Sequence, residues 1–327
     1  MKTVFFEVKN GEQDFIQDKL KSIDLSFYSE ETQSSNIKKE DFDAEIISIF
    51  IYSKIDKELL DKFKNLKMIC TRSTGTDHID IEECERRDIE VKNVPFYGEN
   101  TVAEHTFALI LSISRNIHKS YLRSQRDDFS IDDLCGFDLR GKTLGVIGVG
   151  HIGKHVVKIA KGFGMDVIAF DNNEDHILAE VLNFEYSESI DKLLEKSDII
   201  SLHLPLNEKT HHLINTESFS KMKKGAILIN TARGGLVDID ALYQALKSGH
   251  LFGAGLDVIE GEEVIKEEKE LLFSAKNVGL IKTLFESKAI FKMDNVVFTP
   301  HNAFNSKEAV ERILNNTVEN IKGFLEK

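Results

Sequence analysis

Gly148-Val149-Gly150-His151-Ile152-Gly153 has the residue types and spacing of a phosphate cradle. The first glycine allows a tight turn, the second leaves no Cβ between the backbone and a pyrophosphate, and the third lets a helix lie close to the preceding strand. His151 and Ile152 would open that helix, where free N–H groups and the macrodipole favour an anion. Asp171 lies 171 − 148 = 23 residues past the first glycine, close to the ~20 expected of a carboxylate that binds a ribose 2′-hydroxyl. Asn172 and Asn173 follow it, with no Arg or Lys to receive a 2′-phosphate. The cofactor expected is therefore NAD rather than NADP.

Other residues able to do chemistry fall in loops after apolar runs. Arg72-Ser73-Thr74-Gly75-Thr76-Asp77 follows a strand pattern, where open α/β sheets bind ligands. Its small residues could aim backbone N–H groups at a carboxylate, or simply turn the chain. Asn93 to Glu99, which contains Tyr97, is a second turn-rich loop. Arg233, Glu262 and His301 stand in later loops of the same kind. Taken singly they read equally as a surface ion pair, a solvated acidic turn and an isolated histidine. His211 and His212 are adjacent, but the sequence offers no third ligand beside them, so no metal is expected. Cys70, Cys84 and Cys135 have no CxxC or zinc spacing. They are read as small buried hydrophobes in a reducing cytoplasm.

The elements that must position these residues alternate. Strands are predicted over 3–8, 46–51, 67–71 and 89–92, with helices near 12–21, 56–64 and 80–87. Further strands are predicted over 143–147, 166–170, 198–202, 226–229 and 253–256. Alternation of this kind predicts parallel sheets. Between residues 147 and 171, Ile152, Val156, Ile159, Ala160 and Phe163 give a helix one apolar stripe, ended by Gly164. Thr101 and Glu104 have capping-box spacing and open a helix over about 101–117. That helix is apolar on two faces, Ala103, Phe107, Ile110 and Ile117 on one and Val102, Leu109 and Ile113 on the other. It is read as linking two domains while packing on a partner subunit, with His105 as a satisfied core residue.

At 327 residues the chain suggests about two domains. Apolar residues make up 41%, enough for two cores. A formal charge of −13, with no basic cluster, argues against nucleic acid and acidic membranes as partners. No signal-peptide core or membrane-spanning run is present, so a cytoplasmic location is expected.

RSTGTDHID, NVPFYGENTVAEHTFAL, GVIGVGHIG, SLHLPL, NTARGGLVD, LDVIEGE and TPHNAF occur in this order. Together they resemble the D-isomer-specific 2-hydroxyacid dehydrogenases over about residues 45–315. The resemblance implies an α/β fold of two Rossmann-like, doubly wound parallel-sheet domains. The cofactor domain, 100–299, would be inserted into a substrate domain of 1–99 plus 300–327. It implies a homodimer, with Arg233 gripping the substrate, His301 as acid/base and Glu262 as its acidic partner. Leu204 and Pro205 would border the adenosine side, Thr231, Ala232 and Arg233 the nicotinamide side, and Asp257 the carboxamide. Tyr52, Ser73, Thr74, Gly75, Tyr97 and Phe304 would contact substrate.

The lack of Pro after Glu262, the Lys/Glu-rich stretch before His301, and Tyr52 and Phe304 resemble the D-lactate dehydrogenase branch. The implied reaction is reduction of pyruvate to D-lactate by NADH. A hydroxypyruvate/glyoxylate or branched 2-oxo acid reductase is the alternative within the family, and an NAD-sensing, corepressor-like binding protein is the alternative of another class.

Overall fold

The structure, a computed structural model, describes residues 1–9, 11–33, 35, 37–261 and 278–327, with side chains in the last range from 285 onward. The chain forms two compact units, Met1–Tyr97 with Ser306–Lys327, and Gly98–Asn305.

In the smaller unit a five-stranded sheet is ordered β2-β1-β3-β4-β5, with β1 Lys2–Phe5, β2 Asp24–Phe27, β3 Ile46–Ile49, β4 Met68–Thr71 and β5 Glu90–Lys92. Every pairing is parallel. β1 stops three residues before the predicted end because Glu7 takes φ 56, a conformation that cannot continue a strand. β2 escaped prediction because it is a short edge strand reading DLSF, with no buried residue. Helices α1 Glu12–Lys19, α2 Lys57–Leu60 and α3 Ile81–Arg86 connect the strands. Asp56 and Asp80 cap α2 and α3 by accepting Leu59 N–H and Glu83 N–H, each such cap contributing about 1 kcal/mol. One face of the sheet is closed by the last helix of the chain, Lys307–Leu325. Its Leu314, Val318 and Ile321 share a core with Phe5, Ile16, Leu20, Ile46 and Met68.

The larger unit holds seven strands in the order β12-β11-β10-β9-β6-β7-β8, all parallel. They are β6 Thr143–Ile147, β7 Asp166–Phe170, β8 Glu185–Tyr186, β9 Ile199–Leu202, β10 Ala226–Asn230, β11 Leu251–Leu256 and β12 Val296–Phe298. Both faces are covered, which is why β9 and β10, apolar but for Ser201 and the terminal Asn230, are buried throughout. Strand order reverses between β6 and β9, the switch point at which such sheets bind ligands.

Two helices decide how this unit packs. α4, Glu99–Ser114, starts one turn before the expected cap: Gly98 is the capping residue, and Thr101 is a buried residue inside the helix. Gly98 O already accepts from Val102 N–H, so the helical ladder begins there. Leu109 and Ile113 lie on Gly253 and Gly255 of β11; a Cβ at Gly255 would come within 2.9 Å of Leu109 Cβ. Val102, Leu109 and Ile113 are all buried within the chain. The residues of both apolar faces that fall in α4 are thus buried within the chain, whereas Ile117, the last of the first face, opens the next helix, α5 Ile117–Ser124, and is 50% exposed.

The other is α6, His151–Gly162, which buries Val156, Val157 and Ala160. Phe163 is 40% exposed and stacks on Phe107, so Val157 rather than Phe163 completes the stripe. Cys70 and Cys84 are buried as expected, whereas Cys135 is exposed. The remaining helices include Ile239–Lys247 and Val278–Phe291. No described helix is long and apolar enough to cross a membrane.

Candidate active site and cofactor cradle

The turn between β6 and α6 is built around its glycines. Gly148 has φ 96, and a Cβ there would lie 2.6 Å from His203 O. At Gly153 a Cβ would lie 2.0 Å from Gly148 O, so any side chain would push the helix off the turn. Nothing stands within 4 Å of a Cβ built at Gly150; that space is open for a pyrophosphate on the N-terminus of α6.

Asp171, just after β7, accepts from Val149 N–H at 2.7 Å through one oxygen and from Asn173 N–H at 2.9 Å through the other. The carboxylate is thereby fixed against the turn, with lone pairs left for a ribose hydroxyl. These features fit a dinucleotide.

Beneath the turn lies His203, a residue that sequence reasoning passed over. Its Nε2 shares a 2.8 Å hydrogen bond with Ser201 Oγ, and Nδ1 has no partner among the described residues. Burial pushes its pKa down to about 3, so the ring is neutral at physiological pH. Leu204 Cδ2 would be 3.0 Å from a Cβ at Gly148, while Pro205 is exposed and its carbonyl accepts from the Thr210 hydroxyl.

At the carboxyl ends of β10, β11 and β12 the backbone ladder runs on past the sheet. Asp257 N–H donates to Asn230 O at 2.9 Å, and His301 N–H donates to Asp257 O at 2.8 Å. After β10, Asn230 shapes the next turn: its Oδ1 accepts from Ala232 N–H and its Nδ2 donates to Arg233 O. Thr231, 8% exposed, shares a hydrogen bond with the Thr106 hydroxyl of α4. The Arg233 guanidinium donates to Ala232 O through Nη1. Gly234 must be glycine, because a Cβ would lie 2.2 Å from the carbonyl carbon of Ile259.

Asp257 organises the histidine loop. Its Oδ1 accepts the Thr299 hydroxyl (2.5 Å) and Asn302 N–H (3.0 Å), and Oδ2 accepts Ala303 N–H (2.9 Å). His301 sits between these contacts at φ 52, a conformation costing a non-glycine residue about 1–2 kcal/mol. Burial raises the Asp257 pKa, but hydrogen bonds from His105, Thr299, Ala303 N–H and Asn302 N–H together hold it below the usual carboxylate range. His105 Nε2 is 2.9 Å from Thr299 Oγ1 and 3.5 Å from Asp257 Oδ1. The Thr299 proton is committed to Asp257, so Nε2 carries the proton and donates chiefly to Thr299, with Asp257 Oδ1 as the more distant acceptor. His105 is thus half-buried and hydrogen-bonded, and it supports the loop that carries His301. Phe304 follows in the same loop, and Glu262 lies outside the described residues.

In the smaller unit, Thr74 Oγ1 donates to Val94 O and Ser73 Oγ to Gly75 O. Among the described residues no acceptor takes the backbone N–H groups of Thr74 and Gly75. Tyr52 is 43% exposed, and its backbone is held by Glu7, whose carboxylate accepts from Phe50 N–H, Tyr52 N–H, Ser53 N–H and Ser53 Oγ. Tyr97 O accepts from Arg312. Glu7 was invisible to sequence reasoning, because no motif marks a carboxylate whose partners are backbone N–H groups and one hydroxyl more than 40 residues away.

With this geometry in place, comparison with known proteins is specific. Residues 107–303 match the D-isomer-specific 2-hydroxyacid dehydrogenase, NAD binding domain. The chain is 34% identical to a 2-hydroxyacid dehydrogenase homolog of Haemophilus influenzae, over 98% of this chain and 95% of that protein. It is 36% identical to hydroxypyruvate reductase of Thermotoga maritima, covering 91% and 90%. Among solved structures, D-lactate dehydrogenase from Aquifex aeolicus, complexed with NAD and lactic acid, superposes with a TM-score of 0.88 at 39% identity, covering 99% and 95%.

The chain belongs to the D-isomer-specific 2-hydroxyacid dehydrogenase family. It is an NAD-dependent oxidoreductase with two parallel-sheet α/β units.

Proposed function

We propose that the protein is a D-lactate dehydrogenase, reducing pyruvate to D-lactate with NADH. The observation that carries this reading is the His301 loop, locked in a left-handed conformation by the buried Asp257 carboxylate one strand away from the Arg233 turn. When bound, NADH supplies the hydride that reduces C2 of the oxo acid. Arg233 grips the substrate carboxylate and the carbonyl, a planar, two-donor task suited to guanidinium. His301 as imidazolium donates its proton to the carbonyl oxygen as negative charge develops there. Glu262 is assigned the opposite ring nitrogen, where a carboxylate favours the charged form.

The N–H groups of Thr74 and Gly75, with Tyr52, Tyr97 and Phe304, are assigned to the substrate. Three aromatic side chains, with Arg72 buried and committed to Phe6 O and Glu7 O, favour a small uncharged group on C2 over a phosphorylated one. A second reading, hydroxypyruvate reductase, is favoured by the Thermotoga maritima relative; it keeps every role and changes only the group on C2.

A cytoplasmic homodimer is proposed. Its subunit contact is assigned to the 101–117 segment, with Tyr121, Leu122, Phe129 and Ile131, which are 50% to 82% exposed, following it in the chain. Sedimentation should give a dimer at micromolar concentration.

The test of function is oxidation of NADH with pyruvate, hydroxypyruvate, 2-oxoisocaproate and phosphohydroxypyruvate, with the product resolved on a chiral column. The highest kcat/KM for pyruvate, with D-lactate as product, is the expected result. Preference for another acid moves the substrate, and turnover of none refutes the reading.

A further inference from the structure

We infer that His211, His212 and Glu260 form a binding site for a divalent transition-metal ion of the zinc type. The sequence shows only the adjacent histidines. The third ligand arrives from the loop after β11, and all three ligand atoms lie within 4.8 Å of one another. His212 Nε2 is 2.7 Å from Glu260 Oε1, and His211 Nε2 is 3.8 Å from the same oxygen.

Two imidazoles and one carboxylate make a donor set that suits zinc, with a fourth position left to water. Magnesium and calcium, which prefer oxygen alone, are disfavoured. Asp238 Oδ2 stands 3.9 Å from His212 Nδ1, beyond hydrogen-bond distance, and an approach of about 1 Å would make it the outer carboxylate that orients a ligating histidine.

The scaffold is fixed where it must be and free where it must move. His212 is held at φ 50, with its N–H donating to Gly235 O at 2.9 Å. Glu260 follows Ile259, whose backbone packs on Gly234. The His211 side chain is 53% exposed, stacked on His212 with ring centroids 3.9 Å apart and an interplanar angle of 25°. Rings stacked this way cannot both point their nitrogens at one ion, since a ligated metal lies near the plane of each imidazole. Ion binding therefore turns His211 out of the stack, a rotamer change open to an exposed side chain. Bonds of about 2.0–2.1 Å place tetrahedral donors roughly 3.3 Å apart. The shortest pair must open slightly and the longest must close by about 1.5 Å.

An ion here would tie the loop after β9 to the loop after β11, on either side of the turn that begins at Arg233. The inference is independent of which oxo acid the enzyme reduces. Its test uses the full-length protein stripped with a chelator, then titrated with Zn²⁺ or Ni²⁺ against a chromophoric chelator of micromolar affinity. One ion per chain at micromolar affinity or tighter is expected, with no competition from Mg²⁺ and a higher Tm when loaded. His211→Ala, which removes only an exposed ring, and Glu260→Gln should each weaken uptake at least tenfold, and His176→Ala at a different exposed histidine should not. Uptake that needs more than about 100 µM ion, or that survives both site variants, overturns the inference and leaves His212 and Glu260 as a structural ion pair.

Discussion

Replacing Asp257 with asparagine tests the central claim about the histidine loop, because it changes one atom of a side chain that is 1% exposed. Asparagine can keep an oxygen toward Thr299 and Asn302 N–H, but its amide nitrogen then meets Ala303 N–H, donor against donor. One charge-assisted hydrogen bond, worth about 1.5–3 kcal/mol, is lost, and two others fall to neutral strength. Where a cost of about 2–3 kcal/mol falls on the position of His301, kcat drops roughly 30- to 150-fold.

The assay is steady-state NADH oxidation beside urea denaturation. Loss of kcat with little change in KM for NADH is expected of a positioning role. A carboxamide contact would instead raise that KM. The sign of the pH effect follows from the depressed pKa. In wild type the carboxylate's stabilisation is complete above the unfolded pKa of about 3.9 and is lost as pH falls through the lower folded value. The variant should therefore unfold more easily at pH 7 and lack that part of the acid limb. A folded variant within threefold of wild-type kcat refutes the reasoning.

Three other outcomes are expected. His301→Ala should lower kcat about 10²- to 10⁴-fold while leaving NADH binding, followed by nicotinamide fluorescence, nearly unchanged; an active variant would remove His301 from the chemistry. Gly153→Ala places a methyl 2.0 Å from Gly148 O, so KM for NADH should rise more than tenfold, and unaltered cofactor affinity would show that the turn yields freely. Glu7→Gln takes the charge from a carboxylate that serves three backbone N–H groups and a hydroxyl. It should lower Tm by several degrees and raise KM for the oxo acid but not for NADH, whereas equal changes in both would mean a purely structural role.

The cradle could be read from sequence because its logic is local: glycines at fixed spacing, a strand before, a helix after and a carboxylate closing the next strand. The long apolar strands of the larger unit were legible for a similar reason, since burial on both faces leaves a nearly continuous hydrophobic run. What escaped depends on partners distant in the chain. Glu260 lies 48 residues from His212 and becomes a neighbour only through the adjacency of loops in the folded sheet. His105 reads as one more buried helix residue until Thr299, 194 residues away, is set beside it. The second apolar face of α4 shows the same limit: periodicity reports that a face is buried without reporting by what, and for Leu109 and Ile113 the glycines of β11 supply the surface.

The last helix carries a consequence for how the protein is made. The β-sheet begun by the first residues completes its core only when Leu314, Val318 and Ile321 reach it. After Tyr97 is made, 321 − 97 = 224 further residues are needed to reach Ile321, which takes roughly 10–50 s at ~5–20 residues per second. The intervening unit, Gly98–Asn305, has all its strands before that helix is complete. The sheet of the smaller unit is thus the last to complete its core, and for those seconds Phe5, Ile46 and Met68 lack the apolar cover that Leu314, Val318 and Ile321 supply.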